Sequence, residues 1–150
     1  MNFDCGSEAL NAFLIRHALA NQANNSARTF VALHESTVIG YYSLAASAVL
    51  NEEAPVRMAK GMARHPIPVI LMARFAVDRQ HQGKGIGSGL FKDAIKRCLS
   101  VSQQVGARAF IVHAKDDTAR ARYEHFEMQP FPQNRFHLFL LLKDIEKLFV

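Results

Sequence analysis

A glycine-rich segment in the middle of the chain has residue types and spacing typical of a phosphate-binding turn. An apolar run at residues 69–77, interrupted only by Arg74, comes directly before it. After it, apolar residues recur at steps of three and four up to residue 99, which predicts one buried face of a helix. The segment consists of Gln82, Gly83, Lys84, Gly85, Ile86, Gly87 and Ser88.

The order of strand, glycine turn and helix explains how this segment would bind a phosphate. The first N–H groups of a helix have no intrahelical partner, and the helix start carries a partial positive charge. Glycines leave those N–H groups open to an anion, and Lys84 adds a positive charge. Ordinary turns also contain alternating glycines, so the segment alone leaves both interpretations open. A Gly-x-x-x-x-Gly-Lys-Ser/Thr motif is absent from the sequence, which argues against one common class of nucleotide site.

The segments on either side predict a mixed α/β fold in which helices pack on one sheet. Ser7 is placed to cap a first helix that runs to about Ala23, and Asp117 is placed to cap a short helix. The strand before the glycine turn is apolar enough to be buried on both faces. The remaining expectations are strands at residues 28–34, 38–49, 107–114 and 136–143, and helices at 56–61 and 144–150.

Length and composition indicate a single globular domain over residues 1–150. The chain is 49% hydrophobic and 21% charged, and it has no apolar run of the roughly 20 residues that a membrane span needs. The N-terminus does not resemble a secretory signal, so a cytoplasmic location is the default expectation. The two cysteines, Cys5 and Cys98, lack metal-ligand spacing, and Cys98 falls on the apolar face of the long helix.

Positive charge is concentrated in one part of the chain. Residues 1–56 contain two basic and five acidic side chains, whereas residues 57–84 contain six basic side chains and one acidic one. A basic segment beside a phosphate turn indicates a polyanionic partner, of which nucleic acid is the commonest. A solvated surface, or the charge requirement of a cofactor, would account for the same distribution.

Two motifs resemble the GNAT (Gcn5-related N-acetyltransferase) superfamily. The segment from Gln82 to Gly87 fits its Gln/Arg-x-x-Gly-x-Gly/Ala signature, and Asp116-x-x-Ala119-x-x-x-Tyr123 resembles its Asn-x-x-Ala-x-x-x-Tyr element. Further segments along nearly the whole chain look like the TacT-type toxins of bacterial type II toxin–antitoxin pairs. They are Phe3-Asp4-Cys5-Gly6, Gly40-Tyr41-Tyr42-Ser43-Leu44, Arg64-His65-Pro66-Ile67-Pro68-Val69 and Val112-His113-Ala114-Lys115-Asp116.

This resemblance implies both an activity and a set of partners. The family transfers acetyl from acetyl-CoA to the α-amine of aminoacyl-tRNA, which stops translation, and it uses no metal. Its members are typically homodimers that a ribbon-helix-helix antitoxin neutralises. Two alternatives remain: acetylation of a small amine or protein N-terminus, and a CoA-binding or antitoxin-binding module without catalysis.

The resemblance also implies roles for individual residues. The backbone amides of residues 82–88 would bind the CoA diphosphate, and Tyr123 would be the general acid that protonates the departing thiolate. Asp116 would contact the cofactor or cap its helix, while the general base stays open among water, His65 and His113. The end of the buried strand would line the pantetheine arm through Phe75, Ala76 and Val77. Candidate RNA contacts are Arg57, Lys60, Arg64, Arg74 and Arg79, with Arg120, Arg122 and Arg135 as a second set.

The sequence departs from the family pattern at two places. The family begins with a further strand before the segment at residues 3–6, where this chain starts. We therefore expect either a truncated start or a sheet that dispenses with the first strand. The second departure is Glu127, which replaces the glycine of the usual Tyr-x-x-x-Gly-Phe element. Because that glycine tolerates positive φ, we expect a strained or rebuilt turn after the helix that carries Tyr123.

Overall fold

The structure is a computed structural model that describes residues 2–148, and it has the expected mixed α/β architecture. Its strands are β1 (Arg28–His34), β2 (Thr37–Val49), β3 (Ile67–Val77), β4 (Ala109–His113), β5 (Gln129–Phe131) and β6 (Asn134–Leu141). Its helices are α1 (Glu8–Ala12), α2 (Ala18–Ala23), α3 (Val56–Ala59), α4 (Ile86–Ser102), α5 (Asp117–His125) and α6 (Leu142–Leu148). The strands form one mixed six-stranded sheet in the order β1-β2-β3-β4-β6-β5, and helices flank it.

The N-terminal helical region extends to Ala23 as expected, but it is not a uniform α-helix. The Ser7 hydroxyl accepts a hydrogen bond from the Leu10 N–H at 3.4 Å, which confirms the expected cap. Between α1 and α2 the backbone winds as a π-helix over Phe13–His17. Such wider turns are rare and often lie at functional sites, and the sequence pattern did not predict this one.

The first two strands form the expected antiparallel hairpin. Their register runs from Arg28 opposite Leu44 to His34 opposite Thr37. The two connecting residues, Glu35 and Ser36, have φ values of 49° and 67°. Positive φ at both central positions matches the twist of the flanking strands, which is why such turns connect hairpins.

The C-terminal part differs from the sequence-based expectation in two places. Strand β5 lies where Pro130 and a second proline nearby predict a break in regular structure. Because β5 lies at the edge of the sheet, it pairs with one strand only, and the backbone N–H that Pro130 lacks is not needed for a second pairing. The expected strand at 136–143 is β6, which begins at Asn134, and Leu142 already starts α6. The expected continuation of that helix to residue 150 lies outside the described residues.

The chain divides into two compact units, and strands β2 and β3 each run through both. The first unit extends to Ala45 and also includes Met72–Ala94, whereas the second contains Ala46–Leu71 and the chain from Ile95 onward. A cluster of Phe3, Phe13, Leu14, Ala18, Tyr41 and Ala76 fills the first. The second is packed around Val49, Met58, Ile67, Val69, Ala109, Ile111, Phe131, Phe139 and Leu141. Among residues 2–148 no helix is long and apolar enough to cross a membrane.

Candidate active site

The glycine segment begins with a turn that Asp78 organises. The Asp78 carboxylate accepts hydrogen bonds from the Gln80 N–H at 3.0 Å and from the Asp4 N–H at 3.1 Å. Burial acts to raise the pKa of Asp78, but these hydrogen bonds and the nearby His81 outweigh it, so the pKa is lowered. The Gln82 side-chain amide then donates to the carbonyl of Val77 at 2.9 Å, which fixes the segment to the end of β3.

Two of the three glycines are required for their backbone conformation. Gly83 and Gly85 have φ values of 77° and 83°, and a Cβ at either position would meet no atom within 4 Å. The constraint is therefore the positive φ, which glycine adopts without strain. Gly87 lies inside α4, has no such φ, and would place a Cβ in ordinary contact with Phe75 and Val77 at 3.8 Å.

The start of α4 presents the N–H groups that an anion site needs. The Gly89 N–H donates to the Gly85 carbonyl at 3.1 Å, as a helical bond of the first turn. The N–H groups of Ile86, Gly87 and Ser88 precede that bond in the chain and point toward the helix start. Together with the exposed Lys84, they form a positively polarised helix start of the kind that binds phosphates.

The strand end before the segment is packed tightly. Phe75, Ala76 and Val77 are all buried, and Ala76 belongs to the hydrophobic cluster of the first unit. Gly40 on β2 makes this packing possible, because a Cβ there would lie 2.7 Å from Leu90 Cδ1 and 3.2 Å from the Ala76 carbonyl oxygen. Sequence reasoning missed this role of Gly40, because a glycine within a strand indicates close backbone approach without saying to what.

Helix α5 of the second unit carries Tyr123, and Asp116 directly precedes this helix. The Asp116 carboxylate accepts a hydrogen bond from the Ala119 N–H at 2.8 Å, so Asp116 is the N-cap. The expectation that Asp117 caps this helix was wrong: Asp116 has the extended backbone that a cap requires, whereas Asp117 lies in the first turn. Tyr123 is 8% exposed, and burial, opposed by the nearby Arg122 charge, raises its pKa to about 12.

The turn after α5 is strained at Glu127, as the sequence departure predicts. The Met128 N–H donates to the Tyr123 carbonyl at 3.1 Å, and the Glu127 N–H donates to the Glu124 carbonyl at 3.0 Å. This pair of bonds defines a Schellman motif, which places Glu127 at the position that glycine usually occupies. Glu127 has φ 70°, so a residue with a Cβ adopts the left-handed conformation there.

Several of the basic residues named as RNA contacts have partners within the chain. The Arg57 guanidinium contacts both carboxylate oxygens of Asp144, at 3.2 and 2.9 Å. The Arg74 guanidinium lies 3.6 Å from the centre of the Phe13 ring, which gives the cation in the apolar strand the partner it needs. Arg79 is 3.8 Å from Asp4, and both are exposed.

The remaining basic residues fall into two groups. Lys60 and Arg64 are exposed, and within residues 2–148 neither has an acidic side chain at ion-pair distance. In the second set, Arg120 contacts Asp117 and Glu124, and Arg135 lies 3.1 Å from Asp117.

Arg108 has a structural role that sequence reasoning missed. Its guanidinium donates to the carbonyl oxygens of Met58, Arg57 and Lys60, at 3.0, 3.1 and 3.0 Å. These carbonyls belong to the last turn of α3 and to its C-cap residue Lys60, where no further helical N–H follows to bond them. No sequence signal links Arg108 to α3, because the two are about fifty positions apart.

The structure therefore places the predicted residues in two groups. Residues 75–77 and 82–88 lie together in the first unit, whereas Asp116 and Tyr123 belong to the second. In the part of the chain that the structure describes, no group of three or more His, Cys, Asp or Glu side chains could hold a metal ion.

Comparison with known proteins gives a consistent result over almost the full chain. The model of the acetyltransferase (GNAT) family matches residues 4–128. The chain is 43% identical over 147 residues to a tRNA-acetylating toxin of Mycobacterium tuberculosis, covering 98% of this chain and 88% of that protein. A structure of AtaT complexed with acetyl-methionyl-tRNAfMet superposes with a TM-score of 0.89 at 33% identity, covering 99% and 90% of the two chains. A tyrosine-to-phenylalanine mutant of AtaT, bound to the C-terminus of the antitoxin AtaR and acetyl-CoA, superposes with a TM-score of 0.83 at 33% identity, covering 99% and 88%.

Proposed function

The chain belongs to the acetyltransferase (GNAT) family, and from this premise we propose that it is an acetyl-CoA-dependent toxin that acetylates the α-amine of aminoacyl-tRNA. The observation that carries the proposal is the 43% identity to the M. tuberculosis tRNA-acetylating toxin over 98% of this chain. The AtaT complex with acetyl-methionyl-tRNAfMet supports the same acceptor. An N-acetylated aminoacyl group has no free amine for peptide elongation, so the product blocks translation.

The first unit supplies the acetyl-CoA donor site in this proposal. The N–H groups of residues 82–88 bind the diphosphate at the start of α4, and the exposed Lys84 adds a positive charge. Because the side chains of Phe75, Ala76 and Val77 are buried, the pantetheine arm would follow their backbone. A backbone N–H there that polarises the thioester carbonyl would contribute about 2.7–4 kcal/mol, as in comparable oxyanion sites.

Tyr123 supplies the proton that the departing CoA thiolate needs. With a pKa of about 12, its phenol is fully protonated at neutral pH, as a general acid must be. The hydrogen bond at Asp116 fixes the start of α5, the helix that carries this phenol. We assign Asp116 the cap that the structure gives it and retain its contact with the cofactor as a prediction.

Lys60 and Arg64 are the first candidates for contact with the tRNA backbone. Both are exposed, and neither is engaged in an ion pair within the described residues, whereas Arg57, Arg74 and Arg79 have partners in the chain. Each phosphate contact that is lost should reduce the slope of the logarithm of the binding constant against the logarithm of the salt concentration by about one. We therefore expect Lys60→Ala and Arg64→Ala to flatten that slope more than Arg57→Ala.

The proposal extends to partners and location. A ribbon-helix-helix antitoxin would neutralise the toxin, in line with the AtaT complex that contains the C-terminus of AtaR. We also propose a homodimer in the cytoplasm. The family match runs through both units, which supports one acetyltransferase domain over residues 1–150.

Transfer of labelled acetyl to a panel of acceptors tests the proposed function. The chain is incubated with labelled acetyl-CoA and, in separate reactions, charged tRNA, uncharged tRNA, a polyamine and a peptide with a free N-terminus. We expect label only on charged tRNA. Label on the polyamine or the peptide, with none on any charged tRNA, would contradict the proposal and support the alternative acceptor class.

Two glycine variants test the donor site separately from the acceptor. Gly85→Ala forces a Cβ into a φ of 83°, whereas Gly87→Ala adds one at ordinary contact distance inside a helix. We expect Gly85→Ala to weaken acetyl-CoA binding at least tenfold, measured by calorimetry. Gly87→Ala is the control: it should bind normally and gain about 0.5–1 kcal/mol of helix stability. Equal acetyl-CoA affinity in the two variants would refute this donor site.

A further inference from the structure

A cavity in the second unit is not used by any of the roles proposed above. Its volume is about 360 Å³, within the range of small-molecule sites. Its apolar part consists of Ala48, Val49, Ile111 and Phe131. Its polar part consists of Ser47, Glu53, His113, Gln133, Asn134 and His137. A cavity with one apolar side and several convergent polar groups suits a small ligand with both kinds of surface.

Two stacked histidines line this cavity. His113 is the last residue of β4, and His137 lies directly opposite it on β6. Their ring centres are 3.9 Å apart, and the ring planes differ by 16°. The Phe131 ring meets His137 edge-on at 5.9 Å. The register of the two strands and the packing of Phe131 therefore hold both imidazoles at the cavity.

The electrostatic surroundings keep His113 neutral near pH 7. Burial lowers the pKa of His113, and the charge that His137 would acquire lowers it further. Glu53 is the acidic side chain that lines the same cavity, and Ser47, Gln133 and Asn134 there carry no charge. A neutral imidazole has one ring nitrogen with a free electron pair, so it can accept a proton.

We propose that this cavity receives the aminoacyl group of the charged tRNA and that His113 accepts the proton of its α-ammonium group. This inference rests on the proposed function and adds the general base that the sequence left open. Glu53 attracts the ammonium group, while Ile111 and Phe131 contact the amino-acid side chain. The substrate class is an aminoacyl ester whose side chain fits about 360 Å³ together with its α-amine.

The proton and electron pairs balance over the reaction. The N–H bond of the ammonium breaks, its electron pair stays on nitrogen, and the proton moves to the His113 imidazole. The freed amine attacks the thioester carbonyl carbon, and the nitrogen of the tetrahedral adduct releases a second proton to solvent. The C–S bond then breaks, and its electron pair leaves with sulfur. The thiolate takes the Tyr123 phenol proton, His113 returns its proton to solvent, and Tyr123 takes one from solvent, so one proton is released for each acetyl group transferred.

A base is useful here because the amine is mostly charged at the working pH. An α-amine has an ordinary pKa of about 7.7–8.0, so at pH 7 most of it cannot attack a carbonyl. A positioned general base typically contributes about 10²–10⁴-fold in rate. Its contribution falls as pH rises through the pKa of the amine, because the substrate is then already deprotonated.

Rate measurements across pH on three histidine variants test the inference. The kcat/KM for charged tRNA is measured between about pH 6 and pH 9 for the unchanged chain, His113→Asn, His137→Asn and His34→Asn. His34 is exposed, does not line the cavity and has no role in the proposed reaction, so His34→Asn is the matched control. We expect His113→Asn to lose about 10²-fold at pH 7, with the loss shrinking above pH 8, while its affinity for acetyl-CoA is unchanged.

A second variant tests the cavity without changing either histidine. Ser47 is half-buried on β2 and lines the cavity, so Ser47→Phe would fill part of it. We expect a raised KM for charged tRNA and an unchanged affinity for acetyl-CoA. An unchanged KM would overturn the cavity as the aminoacyl site.

The outcomes separate this inference from the function on which it rests. If the unchanged chain acetylates no charged tRNA, the proposed function fails, and this inference fails with it. If the chain is active but His113→Asn matches His34→Asn at every pH, His113 is not the base and the inference alone fails. A loss by the same factor at every pH would also overturn it, since a structural role predicts that result.

Discussion

Replacing Glu127 by glycine should stabilise the chain, because Glu127 occupies the glycine position of a Schellman motif with φ 70°. A residue with a Cβ in the left-handed region costs about 1–2 kcal/mol. Glycine in turn loses about 0.5–1 kcal/mol more backbone entropy on folding than alanine does. The difference predicts that Glu127→Gly raises the free energy of unfolding by about 0.5–1 kcal/mol. For a chain of this size the melting temperature should rise by about 1–4 °C.

The assay is urea unfolding followed by circular dichroism, with Glu127→Ala as the control. Alanine removes the carboxylate at the helix end but keeps the Cβ, so it separates the backbone effect from the charge effect. We expect Glu127→Ala to stay within about 0.5 kcal/mol of the unchanged chain. If Glu127→Gly is no more stable than Glu127→Ala, the backbone at this turn is not strained and the reasoning is refuted.

Three further predictions concern groups that the structure places at defined contacts. Tyr123→Phe should lower kcat by about 10²–10⁴-fold while acetyl-CoA still binds. Because the pKa of Tyr123 is about 12, the unchanged chain should keep its general acid protonated up to about pH 10. A loss of rate that follows deprotonation of one group below pH 10 would count against this role. Asp116→Ala should lower the free energy of unfolding by about 0.5–2 kcal/mol and Asp117→Ala by less than about 0.5 kcal/mol, because Asp116 alone caps α5. Equal losses in urea unfolding would mean that the cap is wrongly assigned. Arg108→Lys should lower the free energy of unfolding by about 1–3 kcal/mol, because lysine lacks the planar guanidinium that donates to three carbonyls. A loss no larger than that of the exposed control Arg122→Lys would show that Arg108 does not have this role.

The elements with strong local signals were predictable from the sequence. The hairpin of β1 and β2, the buried strand β3 and the long helix α4 each combine a clear apolar period with turn residues at their ends. Their bounds agree with the expectation to within a few residues. Glu127 was predictable too, because a family motif that requires a glycine shows where positive φ is needed.

What could not be predicted depends on contacts between distant residues. The π-helical turn at Phe13–His17 has no local sequence signal. Edge strand β5 was missed because local reasoning treats Pro130 as a break, and only the sheet order shows that its missing N–H is harmless. The cap at Asp116, one residue before the expected position, depends on a backbone angle that two adjacent aspartates do not distinguish in sequence.

In the candidate site too, local features were predictable and contacts between distant residues were not. The glycine segment was predictable as a phosphate-binding turn, and the two positive φ values show which glycines its backbone requires. The charge pattern named basic residues but could not show that Arg57 pairs with Asp144 or that Arg74 stacks on Phe13. The pairing of His113 with His137 depends on the register of β4 and β6, which no sequence pattern gives.

The most direct test of the central claim is the mass of the aminoacyl-adenosine that ribonuclease releases from charged tRNA after incubation with the chain and acetyl-CoA. We expect it to gain the mass of one acetyl group, with fragmentation placing that group on the α-amine, and we expect no gain with Tyr123→Phe over the same interval. An unmodified aminoacyl-adenosine from every charged tRNA, while the chain transfers acetyl to another amine, would contradict the account.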